Sequence, residues 1–81
     1  MNRELLEYKR KCAGYRIRRS FAAYIGKTDK YYAARENGDV DFSPQDMVDV
    51  VGALCLPFDD FNKIFFDGKL PYGNTEDVSV A

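Results

Sequence analysis

Apolar residues recur along the chain at three- and four-residue intervals as far as Phe66, punctuated by glycine, proline and small polar residues, a pattern that predicts five short helices. Leu5, Tyr8 and Cys12, with Leu6 beside them, make one apolar stripe over residues 2–13, ended by Gly14. Phe21, Ala22 and Ile25 make a second over 18–25, closed by Gly26 in the left-handed region. Thr28 caps a third segment, with Asp29 in its first turn, where the helix dipole favours an acid, and Asn37-Gly38 stops it. Ser43-Pro44-Gln45-Asp46 is the clearest start signal: a serine cap, proline at the first helical position and an acid three residues after the cap.

The fourth helix that this signal opens carries Met47, Val50, Val51, Leu54 and Cys55 on its core-facing stripe. Pro57 breaks the chain, and Phe58, Phe61, Ile64, Phe65 and Phe66 predict a fifth helix, begun by Asp59 and Asp60 and ended near Asp67-Gly68. From Lys69 to Ala81 no period is sustained, which predicts a short flexible tail (69–81) after a single folded domain (1–68). At 81 residues the chain has room for one hydrophobic core and no second.

Charge changes the picture more than composition does. The net charge is −1, yet Met1 to Arg35 holds ten basic residues against three acids, a balance of +7, and the rest of the chain balances at −8. A split of this size marks a footprint for a polyanion on one side of the molecule only. With no histidine and two cysteines, Cys12 and Cys55, the chain lacks the commonest metal ligand and the commonest general base. No enzyme, catalytic residue, metal, cofactor or small-molecule ligand is therefore expected. Both cysteines fall within apolar helical patterns and read as buried thiols. No stretch has the length or apolarity of a signal peptide or membrane span, which points to a cytoplasmic protein with no membrane partner.

Two short helices about a glycine turn have the layout of a helix-turn-helix unit. Ala22, four residues before Gly26, is small where the second helix crosses closely, and Tyr32, six residues after it, falls where an apolar side chain must reach the core. In Phe-Ala-Ala-Tyr-Ile-Gly (21–26), Glu-Asn-Gly (36–38) and Phe-Ser-Pro-Gln-Asp-Met-Val-Asp-Val-Val-Gly-Ala-Leu (42–54), the chain resembles the Cro and phage-repressor-like, xenobiotic-response-element type of helix-turn-helix regulators. The Phe58 to Phe66 run is similar to the fifth helix of phage and mobile-element members.

The resemblance implies an all-α, five-helix, lambda-repressor-like domain that regulates transcription by binding double-stranded DNA, as a repressor and as a homodimer. It implies that Arg18 binds a phosphate, that Thr28, Asp29, Lys30, Tyr31 and Ala34 present the exposed face of a recognition helix over about 28–37, and that Asn37 approaches the sugar-phosphate strand. Independently of the resemblance, Arg18, Arg19, Lys27 and Lys30 would flank that helix and neutralise phosphates. Lys30 is suited to guanine, Asp29 to cytosine and the Tyr31 ring to a thymine methyl.

The chain departs from the family pattern at Lys27 and Arg35, usually aliphatic, at Ile17, usually a helix cap, and at Asp39, often a phosphate-facing cation. Arg35 is expected to run its stem along the core and pair with an acid such as Asp41. Phe65, Phe66, Leu70 and Tyr72 are the expected dimer surface. The competing expectation is a helix-turn-helix protein-interaction module, with weak or no DNA binding, that docks its partner through the acidic half.

Overall fold

The caps anticipated from the sequence form as hydrogen bonds. The computed structural model describes residues 1–71 and contains α1 (Arg3–Cys12), α2 (Arg18–Tyr24), α3 (Asp29–Glu36), α4 (Pro44–Leu54) and α5 (Phe58–Phe66), with no strand among the described residues. Asn2 accepts from Leu5 N at 3.0 Å, and Thr28 accepts from Tyr31 N at 3.1 Å. Ser43 and Asp46 form a reciprocal box in which each side chain accepts the other's backbone N–H. Each such cap contributes about 1 kcal/mol. α2 alone of the first four helices starts without a side-chain cap, because Ile17 stands at its cap position.

Between α2 and α3 the chain turns at Gly26, where φ is +77° and a Cβ would meet nothing within 4 Å. The glycine is required by the backbone conformation rather than by space, and an L side chain there would cost roughly 1–2 kcal/mol. The turn is closed by Lys27 N donating to the Ala22 carbonyl at 2.8 Å. Ala22 is fully buried, as a close crossing of two helices demands.

Every helix contributes to one core: Leu6 from α1, Phe21 and Ala22 from α2, Tyr32 from α3, Val50 from α4 and Ile64 from α5, with Phe42 and Leu56 from the connections. Four aromatic contacts run through it in series, Tyr15 to Phe21 to Tyr32 to Phe42 to Phe65, all edge to face, with centroids 5.2, 5.2, 6.1 and 5.3 Å apart. That geometry suits the ring quadrupoles, each pair adding about 0.5–1.5 kcal/mol beyond its buried area. Between α4 and α5 an apolar groove of about 890 Å³ stays open, bordered by Met47, Val48, Val51, Phe58, Phe61 and Phe66.

Several expectations are corrected. The fully buried residues of α1 are Leu6 and Arg10; of the expected stripe Leu5 is half-buried against the core, but Tyr8 is 61% exposed and Cys12 is exposed. Leu6 and Arg10 lie four residues apart on one face, and Arg10 stays inside because an acid from α3 meets it there. Cys12 and Cys55 are free and exposed, not buried. Cys55 ends α4 in the left-handed conformation, with φ +53°, which turns it off the apolar stripe.

Phe65 is half-buried and packs against the core. Leu70 is held by two hydrogen bonds of 2.9 Å to the fully buried Asn62 amide, so order persists into the start of the expected tail. Tyr72 and the rest of that tail lie outside the described residues. Among the described residues no helix is long and apolar enough to cross a membrane.

Candidate nucleic-acid interface

Two features place α3. At its C-terminal end Glu36 is buried and takes a two-point ion pair from Arg10 of α1, Nε to Oε1 at 2.9 Å and Nη2 to Oε2 at 3.1 Å. The remaining Arg10 Nη1 donates to the carbonyls of Tyr15 and Arg16 at 2.7 and 3.0 Å, so one guanidinium fastens α3 and the α1–α2 connection together. A bidentate arginine with its remaining donors satisfied is the arrangement in which a buried charge pair is tolerated. Beside it the Tyr32 hydroxyl is buried near Glu36 and Arg10 with no hydrogen bond of good geometry. Burial, and then the Glu36 charge, push that phenol well above its ordinary range.

At its N-terminal end α3 is tied to α4. The Tyr31 hydroxyl donates to Asp46 at 2.8 Å, and the Tyr31 ring lies under the Arg35 guanidinium at 3.5 Å and near Lys27 Nζ at 4.9 Å. Both cations also approach Asp46, Arg35 Nε at 3.4 Å and Lys27 Nζ at 3.9 Å. Burial raises the Asp46 carboxyl, but hydrogen bonds from Tyr31 and Ser43, aided by the Lys27 charge, outweigh it and hold the group below the usual carboxylate range.

The nine residues singled out from the sequence thus divide. Thr28, Asp29 and Lys30 are exposed together at the start of α3, and Arg19 is exposed on α2. Arg18 is half-buried and donates from Nη1 to Asn37 Oδ1 at 2.9 Å, which brings the start of α2 to the end of α3. Ala34 is half-buried, its carbonyl accepting from Asp39 N and Val40 N at 2.9 and 3.2 Å. Lys27 and Tyr31 are occupied within the protein: the Tyr31 ring, expected to face outward, has cations for neighbours and an acid on its hydroxyl.

Sequence reasoning missed Asp46 as the partner of Arg35, having named Asp41, and gave Arg3 no role. Arg3 Nη1 donates to the Asn37 carbonyl at 3.2 Å, so two arginines from different helices converge on that residue. A signal for Asp46 was present, since the acid three residues after the cap in a capping box points its carboxylate back across the helix start, where a neighbouring helix can reach it.

Among the described residues no three His, Cys, Asp or Glu side chains are grouped to hold a metal ion. What the surface offers is a short rod with exposed polar residues at one end and guanidinium groups at the other. No protein-family model, no curated protein and no solved structure matches this chain.

Proposed function

We propose that this chain is a sequence-specific, double-stranded DNA-binding regulator of the Cro and phage-repressor type, acting as a homodimer, with α3 as the helix laid in the major groove. The observation that carries the reading is the pair of ties on α3: both ends are pinned to other helices while Thr28, Asp29 and Lys30 stay exposed. A groove-reading element must be rigid and outward at once. A helix is about 10–12 Å across with its side chains, which fits the roughly 12 Å width of the major groove, and eight residues at a rise of about 1.5 Å present about 12 Å of length to it.

In this reading Lys30 and Asp29 meet base edges, Arg18 and Arg19 meet phosphates, and Asn37 abuts the strand with its side chain already holding Arg18. Lys27 and Tyr31 act from behind, setting the pitch of the first turn through Asp46. Selection of bound duplexes from a random pool, followed by titration of the winner at rising salt, tests the proposal. With about six phosphates neutralised, affinity should fall on the order of a thousandfold between 50 and 200 mM salt. Arg18→Ala with Lys30→Ala should abolish binding. A protein that binds no duplex even at low salt is not a DNA regulator, and the interaction-module expectation then takes its place.

A further inference from the structure

A recess of about 350 Å³ opens where α1, the α1–α2 connection, the start of α2 and the end of α3 meet. Arg3, Lys11, Arg16, Arg18 and Asn37 line it, with Glu7 among them and the buried Arg10–Glu36 pair behind. Arg10 and Glu36 cancel one another, and Lys11 is matched by Glu7 at 2.8 Å. Among the described residues no carboxylate pairs with Arg3, Arg16 or Arg18. Among the described residues, therefore, three guanidinium groups share a small concave space whose nearby carboxylate, Glu7, is bridged to Lys11 instead.

Two of the three are positioned in advance. Asn37 accepts from Arg18 with its side chain and from Arg3 with its carbonyl, each bond using one Nη of a guanidinium and leaving its other N–H groups free. Arg16 is exposed, but its carbonyl is held by the buried Arg10, which fixes the connection from which its side chain extends. Donors placed before the ligand arrives reduce the ordering cost of binding. A guanidinium fork matches the oxygens of a phosphate and binds them at two points.

We infer that this recess is a phosphate-binding site, formed by Arg3, Arg16 and Arg18 around Asn37, and that Glu7 is the anionic side chain a phosphate must compete with. The recess has room for a phosphate group and its waters. Under the proposed function, on which the choice of source rests, the occupant is a backbone phosphate of the strand beside the end of α3. That extends the DNA contact from α2 and α3 to α1. A free phosphate ion has the same chemistry, and the experiment separates the two. The Glu7 carboxyl is held below its ordinary range by the Lys11 hydrogen bond and charge, with Arg10 and Arg18 adding to it, so it is a standing anion in the recess at neutral pH.

The test uses the full chain with Arg16→Gln and Glu7→Gln, both surface changes away from the core, in two measurements. In duplex titrations against salt, Arg16→Gln should lower the slope of log affinity against log salt by about one, and Glu7→Gln should tighten binding at low salt. In the second, inorganic phosphate is followed through the arginine Nε–Hε resonances, and shifts should be confined to Arg3, Arg16 and Arg18 and be larger in Glu7→Gln. If duplex binding persists while Arg16→Gln changes neither the slope nor the phosphate shifts, the recess is no phosphate site and the DNA reading stands. Phosphate shifts without any duplex binding support the recess as a site for free phosphate and remove the DNA reading. Shifts spread over all arginines alike overturn the site.

Discussion

The Tyr31 hydroxyl donates to the Asp46 carboxylate at 2.8 Å, joining the third residue of α3 to the third residue of α4. Asp46 is only 4% exposed, and the same carboxylate closes the capping box of its own helix. Because α3 is the helix proposed to read DNA, this bond sets the pitch of the exposed Thr28, Asp29 and Lys30.

Stability should therefore depend on the ionisation of Asp46. Its carboxyl lies lower in the folded protein than the ordinary value of 3.8, so its contribution is complete above that value and is lost as pH falls through the folded one. Asp46→Asn should cost about 3 kcal/mol at neutral pH, because Lys27, Arg35 and the Tyr31 hydroxyl all lose a charged partner. It should also flatten the decline in stability below about pH 4 by up to one proton. Denaturant unfolding of both proteins from pH 7 down to about pH 2.5 checks this, and parallel curves would remove Asp46 as the acid-sensitive group.

The Arg10–Glu36 pair should be the larger single electrostatic element. Glu36→Gln keeps the shape but leaves a buried guanidinium with no counter-charge, at a cost of roughly 3–5 kcal/mol. Arg10→Met loses the anchors of the Tyr15 and Arg16 carbonyls as well, so restoring neutrality by Arg10→Met with Glu36→Gln should recover only part of the loss. Chemical denaturation of the two single variants and the double variant yields the coupling. Full recovery in the double variant would mean that the two carbonyl contacts carry no weight.

How much of this was legible in the sequence depended on range. Ser43-Pro44 and Thr28 announce α4 and α3 because a cap is a local device, complete within four residues. The burial of Ala22 and Tyr32 followed from their spacing about Gly26. Arg10 and Asn62 were not legible as core residues, since a polar side chain goes inside only if something far along the chain satisfies it. Glu36 lies 26 residues from Arg10, and no spacing rule connects them. The same reason hid the Asp46 cluster: Arg35 needed an acid, and sequence distance alone pointed to Asp41. Cys12 and Cys55 failed in the opposite direction, each continuing an apolar pattern just where its helix ends and leaves the core.

Cys55 offers a stabilising change. It holds φ at +53°, a conformation that costs an L residue roughly 1–2 kcal/mol, and its side chain is exposed, with Sγ 3.9 Å from the Gly52 carbonyl. Cys55→Gly removes the strain at the expense of a more flexible unfolded chain, for a net gain of about 0.5 kcal/mol. The thermal midpoint should rise by about 3 °C. A lower midpoint would show that the thiol packs more usefully than its exposure suggests. In the parent protein both thiols should react with a chromogenic disulfide reagent without unfolding.

Asn62 gives the sharpest test of the C-terminal end of the fold. Its amide, fully buried in α5, donates to the Leu70 carbonyl and accepts from Leu70 N, so it behaves toward the chain as a backbone unit would. Asn62→Asp has the same shape but, when ionised, faces the Leu70 carbonyl with a second acceptor and puts a charge in the core. The loss at neutral pH should be about 3 kcal/mol or more. Burial would raise the carboxyl of the introduced aspartate above its unfolded value. Its destabilisation should therefore be full above the raised value and fade as pH falls toward the unfolded one, where the protonated group again donates to Leu70. Asn62→Ala loses both bonds at every pH and should show no such recovery. Stability of the two variants relative to the parent, measured by denaturant between pH 7 and pH 4, separates them; a deficit in Asn62→Asp that stayed constant with pH would mean that Leu70 has moved away and the chain end is not held by this amide.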